Sequence, residues 1–414
     1  MNKRLKAQIA ELAQDVPRRL VRRMIRRKLE EHEIENEELL EALTDHMLHR
    51  SDEKFTWQEE FGDERDVNIA FDSQDFDALA VEMDDVIKII LPKALTEAIS
   101  TTSTNLVKRL EKQWPEVKLA ERHESNGFKD RLDLRWAPAL DPLRMMLLSS
   151  KEIGEAFAQK LGRSKAKKGL VKRQVLMMLH VRACQTTLEI ITLLESGLAD
   201  GAYARWRTLY EISVVCFLVA RFGDELAERY LAHEIVSQRE ALINELRHEG
   251  RPYEPEEMGR QFVRFEADYN AVIDAYGSPF KTAYGWAAHS LGLKSPRFAD
   301  LEEAVDWASL PSDYKWSSYK VHAGIAGTAW TLGTLGDRRF LLAGAANAGL
   351  EVPAVNTAYS LLHVTSVLLD NVSDIEISIK AQALVLLRDK VLSNSIKVAR
   401  RLRRDHIEMY GSIN

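Results

Sequence analysis

The sequence predicts an all-α protein, a multi-helix bundle core with a charged helical appendage at its N-terminus. Two observations carry this. Apolar residues recur at three- and four-residue spacing along most of the chain, the period of a helix face. Period-two alternation and long β-branched runs, which mark strands, are scarce. No internal repeat of solenoid length is visible, so a bundle is expected rather than a stacked array.

The chain has 414 residues, 45% of them hydrophobic, enough for a sizeable core and for two domains. We divide it into a charged N-terminal region, 1–137, and a helical core, 138–414. The net charge of −6 gives no overall attraction to nucleic acid, so any such attraction must come from local patches. Cys184 and Cys216 lie in apolar helical surroundings without a disulfide framework, as expected in a reducing compartment. The N-terminus lacks an apolar signal core, and no apolar run reaches the 18 or so residues of a membrane span. These features predict a cytoplasmic protein without a membrane partner.

Taken in order, residues 1–50 read as amphipathic helices broken near Pro17. Leu20, Met24, Ile25 and Leu29 form the apolar face, and Arg18, Arg19, Arg22, Arg23, Arg26 and Arg27 cover the rest. Residues 58–86 reverse the charge, with eleven acids against one arginine. This segment is expected to fold onto the arginine-rich helix, or else to be a solvated linker or a segment that engages a protein partner or mimics nucleic acid. A helical pattern runs from Asp75 to Trp114. The polar stretch 115–138, with prolines near both ends, reads as a boundary or long loop. Helices then follow at roughly 139–160, 166–196, 198–221, 223–249 and 254–275. A looser Gly/Pro-containing stretch covers 276–298, and further helices are expected at 300–309, 312–334, 351–370 and 377–407. The short link with Gly197 and Gly201 suits an antiparallel helix pair.

Function must come from polar residues set in apolar helices. Arg207 and Glu211 are four apart and share a face. The sequence after them is apolar all round, so a partly buried ion pair is expected, serving as interhelical glue or as a site. Tyr314, Ser318 and His322 form a second stripe at helical spacing. The Ala and Gly residues that follow, Ala323 to Gly327, allow another backbone to approach closely, because Gly inside a helix otherwise costs about 0.5–1 kcal/mol. His322 is thus a core histidine or a general acid–base group. Asn356, Ser360, His363 and Asp370 make a third stripe. Arg229 and His233 read as a surface pair. His46 and His49, three apart, make only a weak metal pattern, and no motif calls for a cofactor or metal. Three basic clusters offer phosphate contacts to RNA or another nucleic acid: the N-terminal arginine helix, 162–173 and 397–406.

The run RWRTLYEISVVCFLVARF, followed by RYLAHE and later by SSYKVHAG, resembles an uncharacterised bacterial family of helical domains found among defence and mobile-element genes. That family pairs Arg-x-x-x-Glu on one helix with Ser-x-x-x-His on a later one, here Arg207/Glu211 and Ser318/His322. The resemblance covers roughly 165–370. The chain is also similar to the HEPN superfamily of helical nucleases, whose Arg and His lie on one helix and are completed across a dimer. Arg401 and His406 have that spacing, with Leu402 where a small polar residue is usual, and Arg229 and His233 are one residue short of it.

The resemblance implies a defence or toxin-type effector that homodimerises, and the polar stripes themselves offer the proton acceptor and the cation that a metal-independent ribonuclease needs. His322 would transfer the proton, Arg207 would stabilise the phosphate, and Glu211 would orient Arg207. Tyr314 or Ser318 would orient the imidazole. The alternative is a non-enzymatic helical binding or sensor module acting with a protein or nucleic-acid partner, its polar stripes serving as buried networks.

Overall fold

Helices make up the regular structure, and no strand occurs among the described residues. The structure is a computed structural model and describes residues 2–49, 55–57, 69–163, 165–246, 255–305, 311–337, 339–369 and 375–412. The chain divides into two compact units, Met1–Glu121 and Arg122–Asn414.

The first unit contains α1 (Asn2–Glu31), α2 (Glu37–Leu48), α3 (Ser73–Asp85), a π-helical turn (Val86–Ile90) and the start of α4 (Leu91–Arg163). Its sequence alternates blocks of charge, and the fold pairs them. Arg18 donates to Glu41 at 2.8 Å and to Asp45 at 2.6 Å, and Arg22 donates to Glu37 at 2.6 Å. Lys28 meets Asp75 at 3.0 Å, and Arg23 meets Glu82 at 3.4 Å. The described part of the acidic segment therefore lies on the arginine-rich helix, as its charge predicts. Its first part, 58–68, falls outside the described residues. Beneath the ion pairs, Ile25, Leu29 and Leu40 form a small buried core. One expectation fails: α1 does not break at Pro17 but runs through it. Strong helix formers flank the proline, and propensity summed over a long window outweighs one missing hydrogen bond.

The second unit holds the rest of α4, then α5 (Leu170–Glu195), α6 (Ala199–Phe222), α7 (Asp224–Ala232), α8 (Glu234–Leu246) and α9 (Pro255–Tyr276). After them come α10 (Ala288–Leu291), α11 (Phe298–Ala304), α12 (Pro311–Tyr319), α13 (Ile325–Ala329), α14 (Glu351–Val367) and α15 (Ile375–Tyr410). The three-residue link Ser196–Leu198 turns α5 back onto α6, giving the expected hairpin. α14 packs across both, and α15 packs on α14. Trp136, Trp206, Tyr210, Ile190 and Leu361 are among the fully buried residues. The indoles of Trp136 and Trp206, both fully buried, each have a partner, as an N–H removed from water requires. Trp206 Nε1 donates to Ser360 Oγ at 3.0 Å, and Trp136 Nε1 donates to the Asn347 carbonyl at 2.8 Å. The start of α5 has no capping side chain of its own. Asp224, the first residue of α7, accepts from the backbone N–H of Gly169 at 2.5 Å and of Lys172 at 2.8 Å instead.

Two expectations are corrected here. The stretch 115–138 is no loop, because α4 continues through it. From Leu132 onward this helix buries Leu132, Trp136, Ala139, Leu140 and Leu143, and that packing outweighs the helix-breaking cost of Pro138. The single helix expected over 312–334 is also absent. α12 ends at Tyr319, a turn covers 320–322, and only a short α13 follows. The small residues do allow a close backbone approach, but the chain makes it with itself. A Cβ on Gly327 would collide with the carbonyl oxygens of Tyr319 and His322. The turn is pinned by Lys320, which meets Asp200 at 3.1 Å, and by the Leu332 N–H, which donates to the same carboxylate at 3.1 Å.

Candidate functional site

The site starts from α6. Its apolar faces bury Trp206, Leu209, Tyr210 and Ile212, which leaves Arg207 and Glu211 at the margin of the core, their side chains 28% and 34% exposed. Arg207 Nε donates to Glu211 Oε1 at 3.0 Å and to the Tyr314 hydroxyl at 3.1 Å. The Tyr314 hydroxyl donates to the same Oε1 at 2.7 Å. The guanidinium also lies over the Tyr314 ring, 5.0 Å from its centroid. One nitrogen of Arg207 is thereby fixed by two groups. Its Nη1 and Nη2 have no hydrogen-bond partner among the described residues, and neither has Glu211 Oε2.

Tyr314 is held by aromatic packing, its ring 4.8 Å from Phe298 and 5.2 Å from Tyr210. Behind it, the Tyr210 hydroxyl donates to Glu302 Oε1 at 2.8 Å. A cleft of about 240 Å³ opens beside Glu211, lined in part by Thr208, Tyr230, Tyr284, Trp286 and Phe298. It is smaller than the roughly 300–1,000 Å³ of drug-sized pockets.

The electrostatics follow from half-burial. Loss of solvent raises the Tyr314 phenol, and the Glu211 carboxylate adds to this against the opposing Arg207 charge. Burial raises the Glu302 carboxyl, and the nearby Glu211 charge raises it further while the Tyr210 hydrogen bond opposes. Tyr284 is raised by burial and by Glu211. Burial works against the Arg207 charge, but the Tyr314 hydrogen bond and the Glu211 charge outweigh it, so the guanidinium is more firmly protonated than usual.

Of the five residues singled out by sequence, the structure joins Arg207, Glu211 and Tyr314. Ser318 and His322 are placed otherwise. Ser318 Oγ donates to the Tyr314 carbonyl at 3.0 Å, a bond within α12 rather than to an imidazole. His322 lies beyond the end of α12 and is exposed. No hydrogen bond of its ring occurs among the described residues, so neither Tyr314 nor Ser318 orients it. The third stripe ties helices together. Asn356 donates to Asp313 Oδ2 at 3.1 Å, and Ser360 receives the Trp206 indole N–H. His363 packs on Phe217 and is pushed down to about 4 by burial. Asp370 falls outside the described residues.

The other histidines also have structural places. Arg229 and His233 do not make a surface pair. Arg229 meets Glu225 at 3.4 Å and lies over Tyr276, while His233 is buried and its Nε2 donates toward the carbonyls of Phe280 and Thr282. His406 meets the buried Asp337 carboxylate at 3.0 Å, which Arg339 also grips at 2.6 Å. His46 packs on Phe55, and His49 Nδ1 donates to the Asp45 carbonyl at 2.7 Å. Among the described residues no helix is long and apolar enough to cross a membrane.

Sequence reasoning missed Thr208, Tyr230, Tyr284, Trp286, Phe298 and Glu302. The aromatic density of 276–298, read only as a looser stretch, was the available signal for Tyr284, Trp286 and Phe298. Glu302 carries none, since its partner is 92 residues away.

The model of a family of unknown function, DUF5677, matches residues 173–337. That span contains Arg207, Glu211, Tyr314 and the cleft residues named above. No curated protein and no solved structure matches the chain.

Proposed function

We propose that this chain is a helical binding module that recognises a phosphate-bearing ligand with a planar ring, a free nucleotide or an unpaired nucleotide of RNA. The observation that carries this is the state of Arg207. Its Nε is fixed by Glu211 and Tyr314 while both Nη groups have no partner among the described residues, and a pre-oriented guanidinium fork matches phosphate geometry. The cleft beside Glu211 is lined by Tyr230, Tyr284, Trp286 and Phe298, an aromatic lining of the kind on which bases stack, a sequence-tolerant contact of about 1–3 kcal/mol per base. Glu211, which lines the cleft, supplies a carboxylate acceptor for an exocyclic amine. The resemblance to helical families of bacterial defence is consistent with an RNA-derived ligand, and a defence role is part of this reading.

The ribonuclease reading has less support. It needs an imidazole at the cleft, and His322 is exposed beyond the end of α12. One experiment separates the two. Purified protein is titrated with AMP and with a short single-stranded RNA by calorimetry, wild type against Arg207→Ala, and the RNA is then run on a gel. Binding without RNA cleavage, weakened at least tenfold by Arg207→Ala, is the expected result. Cleavage abolished by His322→Ala restores the ribonuclease. Absence of binding to either ligand overturns the module.

A further inference from the structure

The first unit carries an apolar stripe that no described residue of that unit buries. No residue from 92 to 121 is buried. Yet Leu95, Ile99, Leu106, Leu110, Trp114 and Val117 fall within roughly a 100° arc of α4, the width of a core-facing stripe. Ile99, Leu110, Trp114 and Val117 are 50%, 55%, 52% and 51% exposed. Scattered surface leucines need no explanation, but a continuous apolar stripe several turns long marks an interaction surface.

The charges beside the stripe indicate what covers it. Arg109 and Glu116 lie seven residues apart, two helical turns, and so flank the same edge. Consider two copies of this helix packed antiparallel, with the two-fold axis between Lys112 and Gln113. Arg109 of each copy then faces Glu116 of the partner subunit, and the symmetry makes the ion pair twice. The same register sets Leu110 against Trp114 of the partner subunit and Leu106 near Val117 of the partner subunit. A parallel in-register pair would instead bring like charges to the same level. Opposite charges at the flanks of an apolar seam are what choose orientation in paired helices. We propose that residues 95–117 form an antiparallel helix pair with the same residues of a second copy of this chain. The inference is independent of the ligand at Arg207.

The test uses the full chain and three readouts. Sedimentation at micromolar concentration is expected to give a dimer for the wild type. The Leu106→Glu/Leu110→Glu variant is expected to keep its helicity and melting temperature, since Leu110 is exposed and Leu106 only half-buried in one copy, and to sediment at the monomer mass of 47.1 kDa. Orientation is read from charge and cross-linking. Arg109→Glu weakens the dimer about tenfold, in line with the loss and reversal of two flanking pairs, and Arg109→Glu/Glu116→Arg restores it. In mixtures, a chain with Arg109→Cys cross-links to a chain with Glu116→Cys and neither cross-links to itself. Native Cys184 and Cys216 are buried and do not interfere. A monomeric wild type overturns the proposal, as does a dimer that survives Leu106→Glu/Leu110→Glu. A monomer whose melting temperature falls in that variant shows the stripe covered by its own chain. Self-linking of Arg109→Cys overturns the antiparallel register.

Discussion

Tyr314→Phe isolates the hydroxyl that joins α12 to α6. The ring contacts with Phe298 and Tyr210 survive the change. Two hydrogen bonds do not: the one donated to Glu211 at 2.7 Å and the one accepted from Arg207 at 3.1 Å. Both partners are charged, and a bond to a charged group contributes roughly 1.5–3 kcal/mol net when shielded from water. Here the partners are 28% and 34% exposed, so water replaces part of each bond. The Arg207–Glu211 bond at 3.0 Å also remains. We expect a loss of about 1–2 kcal/mol for the pair. Urea unfolding followed by tryptophan fluorescence measures it as a lower midpoint at unchanged slope. Tyr410→Phe, on a tyrosine 51% exposed, serves as the control and should shift stability by less than about 0.5 kcal/mol. With one tether gone, Arg207 is less well oriented, and AMP affinity should drop about tenfold, roughly 1.4 kcal/mol. A Tyr314→Phe protein as stable as the control, with unchanged AMP affinity, would refute the reasoning that this hydroxyl fixes the site.

Three further outcomes are expected. Trp206→Phe removes the indole N–H from the buried Ser360 hydroxyl and leaves a small void, costing about 2–4 kcal/mol; a loss below 1 kcal/mol by urea unfolding contradicts it. Asp224→Ala strips the acceptor from the start of α5 and costs about 1–2 kcal/mol, with Asp224→Asn retaining part of it; equal loss in both variants means that charge rather than hydrogen bonding matters there. The third concerns acid. Burial pushes His180 and His363 down to about 4 from 6.5, so both are neutral in the fold while the unfolded chain binds protons first as pH falls. Stability is full above about 6.5 and is lost progressively toward 4, by about 2 kcal/mol per histidine at pH 5. A flat urea midpoint between pH 7 and 5 contradicts this.

The helices and the Arg207–Glu211 pair were legible because both depend on local spacing. A four-residue interval puts two side chains on one face wherever the helix goes. His322 was misplaced for the complementary reason. Its stripe with Tyr314 and Ser318 requires an unbroken helix, and the small residues after His322 read as a contact surface, whereas α12 ends before them, at Tyr319. Where Gly327 approaches, the partner backbone is that of Tyr319 and His322, a fold-back that spacing cannot reveal. The stretch 115–138 erred in the opposite direction, since prolines signal a break only when packing does not override them. The cleft was the least legible part. Tyr284, Trp286 and Glu302 reach it from separate segments, and only tertiary structure brings them to Glu211 and Tyr210.

Asp224 has a consequence for how the second unit assembles. It caps α5 from 55 residues further along the chain, after α6 has been made and turned. The first turn of α5 therefore cannot be completed by any sequence adjacent to it. Two amides of that turn have their acceptor only where α7 is docked, whereas the α5–α6 connector is closed by hydrogen bonds local to it. In the finished protein the amides of Gly169 and Lys172 should exchange with solvent only as slowly as α7 detaches, although helix starts ordinarily exchange fast. The first turn of this helix is thus secured from α7 rather than from its own sequence.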